Sequence, residues 1–354
     1  MKQTIELHKR WKADPSKGEV FTPSELVCEM LDKIPTNVWE NPESRFLDPC
    51  MGKGTFIIEI VKRLVNIYGY SKEDAISRVY GYDTCVKYVN YLKRGGMLNV
   101  FHKDFLNEVN DMKFDVVIGN PPYQDFSHKA KKSSLWKKFL EKGNEIKSSY
   151  LFFVIPASFA SPTKLFDSFK KNIVNIDFTP KKYFPGVGSS FCYVLISDKK
   201  QVTTKITTND GDFFLNMDNF DCLPLEINES ILKECDEVFK GEKKWNLTCE
   251  YHTQNFSDFS DDGEYEVIHS TKIKRTNTNH QNNSKIRVHI SVTNNTIFSV
   301  SVNQGLTQNH VWTEFSNMED AIRYKDYLNS EKVQRVLNLF RYSNMNYKKV
   351  ISRL

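Results

Sequence analysis

A chain of 354 residues with 40% hydrophobic and 26% charged side chains has the composition of a globular protein with room for two cores, which excludes a disordered or fibrous one. Its formal net charge of +5 leans mildly toward polyanions and identifies none. Seven scattered cysteines show no C-x-x-C pair and no zinc spacing, so reduced thiols are expected, and no stretch approaches the ~18 apolar residues of a spanning helix.

In chain order, TPSELVCEMLDKI reads as a helix with Thr22 as N-cap, Pro23 at the first position and Glu25 at the capping-box position. From residue 45 to 198, short apolar runs alternate with amphipathic stretches, the texture of a mostly parallel βαβ sheet. The predicted strands are RFLDP, RVYGYD, NVFHKD, FDVVIGN, SYLFFVIP, NIVNIDF and FCYVLISD. Between the first two, Phe56, Ile57, Ile60, Val61, Leu64 and Ile67 recur at helical spacing. KYVNYLKRGGML and SSLWKKFLEKGNEI read as further helices.

After Asp198 the polar, turn-rich KKQVTTKITTNDGD marks a boundary, giving domains of residues 1–200 and 201–354. In the second, ILKECDEVFKGEKK reads as an amphipathic helix and KIRVHISVTNNTIFSVSV as a hairpin turning at Asn294-Asn295. SNMEDAIRYKDYL opens with a capping box of Ser316 and Glu319, SEKVQRVLNLFRY continues as helix, and TNTNHQNNSK reads as an exposed loop.

The polar residues gather at predicted strand ends. FLDPCMGKGTF sets Asp48 at the end of the first strand, then Gly52 and Gly54, then a helix, a turn that lets backbone approach a ligand closely. Ile57 stands where a dinucleotide fingerprint wants its third glycine, so the NAD version fails. Asp83 ends the second strand, where an acid bonds the ribose hydroxyls of an adenosyl ligand. Asp104 ends the third and GNPPY the fourth. Singly, each has a bland reading as a tight turn or loop aspartate. Together they line one edge of one sheet, where open α/β sheets bind ligands.

These blocks resemble the S-adenosylmethionine-dependent amino-methyltransferases of DNA, whose signature is Asp, Asn or Ser, then Pro-Pro, then an aromatic. The Asn-Pro-Pro-Tyr form is the usual one for N6-adenine methylation and a serine-first form for N4-cytosine. GEVFTPSELVCEML resembles the family's motif that precedes the cofactor loop, and the block order is that of the gamma subgroup, over about residues 18–198. The resemblance implies an α/β class I methyltransferase fold: a seven-stranded, doubly wound, mostly parallel sheet carrying the catalytic domain, with a mixed α+β target-recognition domain after it. It implies S-adenosyl-L-methionine bound by Phe21, Thr22, Asp48, Cys50, Gly52, Gly54, Asp83, Asp104, Phe105, Asn120 and Pro122, and no metal. Double-stranded DNA is the implied partner, with a cognate restriction endonuclease as a separate chain. A cytoplasmic monomer, bacterial or phage-encoded and away from membranes, is expected.

The chemistry asks for these residue types. The exocyclic amine of adenine is a poor nucleophile because its lone pair is delocalised into the ring. Two acceptors that take its N–H groups localise that pair. The Asn120 side-chain oxygen and the Pro121 carbonyl fit this role, with Pro121 and Pro122 fixing directions and Tyr123 stacking on the base. A base inside a duplex must be flipped out. The resemblance draws a second stacking ring from just before the last sheet hairpin, here Phe184 followed by Pro185, with Phe191 as the competing choice. C5-cytosine chemistry needs a cysteine nucleophile, and Pro49-Cys50 sits in the cofactor loop instead.

HKAKKSSLWKK, with His128, Lys129, Lys131, Lys132, Lys137 and Lys138, and TKIKRTNTNHQNNSKIR suit phosphates or plain solvated surface. The rivals are N4-cytosine, RNA or protein-glutamine methyl transfer, and a fused nuclease at Glu242–Lys244, a short match without an upstream Pro-Asp.

Overall fold

A computed structural model describes residues 20–108, 111–124, 134–184, 190–240, 249–252, 256–279, 285–293 and 295–354. The chain divides into two compact units, Met1–Phe159 with Ser168–Asn219, and Ala160–Asp167 with Phe220–Leu354.

The first unit is built on the seven predicted strands: β1 (Phe46–Asp48), β2 (Val79–Asp83), β3 (Asn99–His102), β4 (Phe114–Gly119), β5 (Lys147–Pro156), β6 (Ile173–Asp177) and β7 (Phe191–Ser197). Their order is β3-β2-β1-β4-β5-β7-β6. The β3-β2-β1-β4-β5 pairings are parallel, and β7 runs antiparallel between β5 and β6. These seven strands make the mostly parallel sheet expected of the fold class. Its middle strands are apolar without alternation, β7 being buried along its whole length, as expected of strands covered on both faces.

The sheet does not stop at seven strands. β8 (Thr204–Thr208) pairs parallel with β6, and β9 (Gly211–Leu215) closes a hairpin on β8, making nine strands. Both lie beyond the boundary at 200, inside a segment whose composition reads as loop. The inward residues of β8 are Thr204, Ile206 and Thr208, and the Thr204 hydroxyl donates to the Ile173 carbonyl at 2.7 Å. β-branched hydroxyl side chains satisfy a sheet while looking polar in sequence.

Helix α1 (Ser24–Leu31) buries Leu26, Val27, Met30 and Leu31. The expected capping box is absent: Pro23 is the N-cap, its carbonyl accepts from Val27 N at 3.1 Å, and no side chain caps the turn. α2 (Thr55–Asn66) buries Phe56, Ile57, Ile60, Val61 and Leu64, whereas Ile67 falls at the C-cap, 66% exposed. α3 (Val86–Arg94) and α4 (Leu135–Ile146) complete the helices near the site. Burying each large apolar side chain contributes about 1.5–3 kcal/mol, so this continuous core fixes where the strand ends lie.

The second unit is mixed α+β. Its strands are β10 (Cys249–Tyr251), β11 (Tyr265–His269), β12 (Lys272–Thr276), β13 (Ile286–Ser291), β14 (Ser299–Val302), β15 (Gly305–Leu306) and β16 (His310–Phe315). They form one sheet in the order β10-β16-β13-β14 and another in the order β12-β11-β15. The predicted hairpin is β13–β14, in register from Ile286↔Val302 to His289↔Ser299; Asn294 lies outside the described residues. β12 occupies part of the basic run read as surface or phosphate contact, and Arg275 Nε there donates to the Gly263 carbonyl at 2.6 Å. Its longer helices are α5 (Glu229–Lys240), α6 (Met318–Leu328) and α7 (Glu331–Leu339). α6 is capped by Asn317, whose side chain accepts from Asp320 N at 2.9 Å, one residue along from the expected Ser316 and Glu319. Among the described residues no helix is long and apolar enough to cross a membrane.

Candidate active site

Asp48 closes β1 and is 2% exposed, its Oδ1 accepting from Cys50 N at 3.1 Å. Burial pushes its pKa up to about 8; the Cys50 amide pulls the other way and the charge of Asp83 adds to the rise. Gly119, the last residue of β4, lies against it, and a Cβ there would come within 2.8 Å of Asp48 Oδ1. Burial, with Asp48 and Asp83 adding, holds the Cys50 thiol well above its usual range, so it stays protonated and is no nucleophile.

Gly52 and Gly54 take φ of +51° and +82°, the left-handed region that glycine enters freely, and α2 begins immediately afterwards. Asp83 holds that turn in place: its Oδ2 accepts from Gly52 N at 2.8 Å and its Oδ1 from Cys85 N at 2.7 Å. Asp104 is turned onto its own loop, accepting from Leu106 N at 3.0 Å and Asn107 Nδ2 at 2.7 Å. Beside it Phe105 is buried, its ring 6.3 Å from that of Tyr82 and 5.4 Å from that of Phe139. Phe21 packs its ring edge-on to Tyr88 at 5.9 Å, with Lys53 Nζ 4.7 Å from its centroid.

Asn120 follows β4. Its Nδ2 donates to Thr22 Oγ1 at 3.2 Å and its Oδ1 accepts from the Tyr123 hydroxyl at 3.0 Å. The amide thus faces Tyr123 with its oxygen and Thr22 with its nitrogen. These bonds also replace the role expected of Thr22: its hydroxyl holds Asn120, not the start of α1. Burial keeps the Tyr123 hydroxyl well above its usual range, so it remains a donor. Pro121 is buried and Pro122 partly so. The Tyr123 ring lies 5.3 Å from Phe191, and Phe191 lies 5.4 Å edge-on from Phe184. Both phenylalanines are buried, at 3% and 6% exposure, so Phe184 and Phe191 form one aromatic wall rather than a choice between a free ring and a core ring.

Asp48, Cys50, Gly52, Asp83, Gly119 and Asn120 therefore meet at one sheet edge, while Asp104 and Phe105 sit at the neighbouring strand end. Composition and spacing missed Glu29 on α1, which accepts from the Tyr183 hydroxyl at 2.6 Å and from the Tyr193 hydroxyl at 2.9 Å. An acid embedded in the apolar LVCEML was its only signal. His128, Lys129, Lys131, Lys132, Pro185 and Glu242–Lys244 lie outside the described residues; Lys137 and Lys138 are exposed on the first turn of α4. Among the described residues, no group of three or more His, Cys, Asp or Glu side chains is placed to hold a metal ion.

Residues 57–184 match the family described as Eco57I restriction-modification methylase. Asp83, Asp104, Asn120 to Tyr123 and Phe184 fall inside the matched span, and Asp48, Gly52 and Gly54 lie just before it. The chain is similar to the Type II methyltransferase M.VspI of Vibrio sp. (strain 343), 33% identical over 145 residues, covering 39% of this chain and 33% of that protein. It is similar to the Type II methyltransferase M.CvrRI of Paramecium bursaria Chlorella virus XZ-6E, 33% identical over 127 residues, 34% of this chain and 29% of that one. The chain is 24% identical over 316 residues to an uncharacterized adenine-specific methylase of Mycoplasma pneumoniae, covering 56% of this chain and 74% of the relative. The chain spans about a third of the length of the first two relatives. Among solved structures, a nuclease-deletion mutant of the Type ISP restriction-modification enzyme LlaGI shares the fold, with TM-score 0.53 and 12% identity over 94% of this chain and 46% of that one.

Proposed function

We propose that the methylase domain transfers a methyl group from S-adenosyl-L-methionine to the N6 amine of an adenine flipped out of duplex DNA. The observation that carries this reading is the Asn120 amide, oriented by Thr22 and Tyr123 and backed by two prolines at the carboxyl edge of β4. The description of the Mycoplasma relative as adenine-specific agrees with it.

The residues present fit the cofactor. Asp83 is an acid at a strand end, the residue type that bonds ribose hydroxyls, Gly52 turns the chain at a φ of +51° without a Cβ, and Phe105 offers an apolar wall for an adenine ring. When bound, S-adenosyl-L-methionine supplies an electrophilic methyl on a sulfonium. The chain's own part is to prepare the nucleophile. Asn120 Oδ1 and the Pro121 carbonyl accept the two N–H groups of the amine, drawing its lone pair out of the ring. Tyr123 stacks on the base, and the aromatic wall of Phe191 and Phe184 backs it. An amine so prepared would take the methyl group, the carbon–sulfur bonding pair leaving with sulfur, and would pass one of its protons to solvent water. Positioning and electrostatics supply the acceleration.

Labelled-cofactor transfer to duplex DNA, followed by long-read sequencing of DNA from expressing cells, tests this reading. Methyl groups on adenine at one recurring sequence are expected. Label on protein or RNA but not on duplex DNA, or on cytosine alone, would refute it.

A further inference from the structure

We propose that Glu29 is a positioning residue that holds the aromatic wall of the base site. Its carboxylate reaches both sides of the segment on which that wall is built. Tyr183, immediately before Phe184, donates to Glu29 Oε2 at 2.6 Å. Tyr193, two residues after Phe191 on β7, donates to Oε1 at 2.9 Å. In a strand, residues two apart share a face, so Tyr193 and Phe191 stand on the same side of β7, and both belong to the core that includes Phe184. Lys182 adds an ion pair to Oε2 at 3.6 Å. One carboxylate thus fixes the last residue before Phe184 and the strand that carries Phe191.

The same short helix anchors the opposite side of the site. α1 follows Thr22, which holds the Asn120 amide, and Glu29 lies two turns along it. The acceptor for the amine and the rings behind the base are therefore referenced to one rigid element. Burial alone would raise the Glu29 carboxyl; the hydroxyls of Tyr183 and Tyr193, with Lys182, more than offset it and hold it below the usual carboxylate range. It is ionised at neutral pH, and bonds from hydroxyls to an ionised carboxylate are the strong kind. The ordinary alternative is a tie between helix and sheet with no bearing on the base, and the test must separate the two.

This inference rests on the proposed transfer to a flipped adenine. Three full-length proteins are compared: wild type, Glu29→Gln, and Tyr183→Phe, which removes a single hydroxyl from a partly exposed ring. Hydrogen exchange is read over residues 180–184. Fluorescence is read from 2-aminopurine placed at the target position of the duplex identified by sequencing. S-adenosylhomocysteine binding is measured by calorimetry. Both variants should exchange faster at 180–184, show weaker 2-aminopurine emission, and lose roughly tenfold in kcat, the order expected from one charge-assisted bond. S-adenosylhomocysteine affinity should stay at the wild-type level. Exchange unchanged in both variants, or faster exchange with wild-type emission and kcat, would overturn the role of Glu29 while leaving the methyl-transfer reading intact. Absence of transfer by the wild type would instead remove the reading on which it rests, and the positioning role with it.

Discussion

Replacing Asp48 by Asn should change how the folded protein responds to alkali. The side chain is buried at the end of β1, and burial lifts its pKa from 3.8 to about 8. In the unfolded chain it has lost its proton above about pH 4; in the folded chain it keeps that proton until about pH 8. The folded-state value is the higher one, so the associated stability is complete below pH 4 and drains away as pH rises toward 8. Between pH 5 and 8 the loss comes to about 3 to 4 kcal/mol. Asn cannot ionise and retains an oxygen for Cys50 N, so the variant should lack this slope. Urea unfolding of both proteins without cofactor, repeated between pH 5 and 8, gives the comparison. Because slopes are compared, any constant cost of the amide cancels. Parallel curves for the two proteins would mean that Asp48 is ionised in the folded state over this range and would refute the reasoning.

Asn120→Ala should lower kcat by about 10²–10³, the scale of losing one preorganised electrostatic partner, with S-adenosylhomocysteine binding retained; retained transfer would contradict the proposed chemistry. Tyr123→Phe removes the bond to Asn120 Oδ1 and should cost a few-fold in kcat, about 1 kcal/mol, while Tyr123→Ala also loses the ring and should cost clearly more. Equal losses in the two variants would show that the hydroxyl, not stacking, is what matters. In the second unit burial pulls His289 down to about 3, with the charges of His310 and Arg287 adding, and His310 to about 4, with His269 adding and a bond with the Ser270 backbone opposing. Both are neutral in the folded state, so their stability is present above pH 6.5 and is lost on acidification toward those values, about 2 kcal/mol each by pH 5. Circular dichroism during urea unfolding of the Asp48→Asn protein, which lacks the opposing trend of Asp48, should show that loss between pH 7 and pH 5; a flat profile would show the imidazoles to be protonated without penalty.

The parts of the fold that were legible in sequence are those governed by local apolar periodicity. VVIG of β4 and FCYVLI of β7 are uninterrupted apolar runs, buried throughout and bounded by turn residues, because both strands are covered on both faces. β8 was illegible because threonines fill two of its three inner positions. At the site, the acids and glycines were visible because strand-end chemistry is written in short contiguous blocks. The pairing of Thr22 with Asn120 was not, since a capping rule looks three residues ahead and this bond spans 98 positions. Glu29 was hidden for the same reason: its partners are Tyr183 and Tyr193, brought near only by the fold. Ser316 was preferred to Asn317 because both are good caps, and only the backbone at the turn chooses between them.

The bond from Tyr123 to Asn120 has a consequence for selectivity. On the proposed reading, the amide oxygen gives one lone pair to a phenol three residues away and keeps the other for the target amine. A ring presenting a carbonyl at this point would bring no hydrogen and would set oxygen against oxygen. An amine would bring two, one for the amide and one for the proline carbonyl. The phenol leaves a single vacancy that suits a donor, so wrong bases would be turned away before any methyl group is at stake.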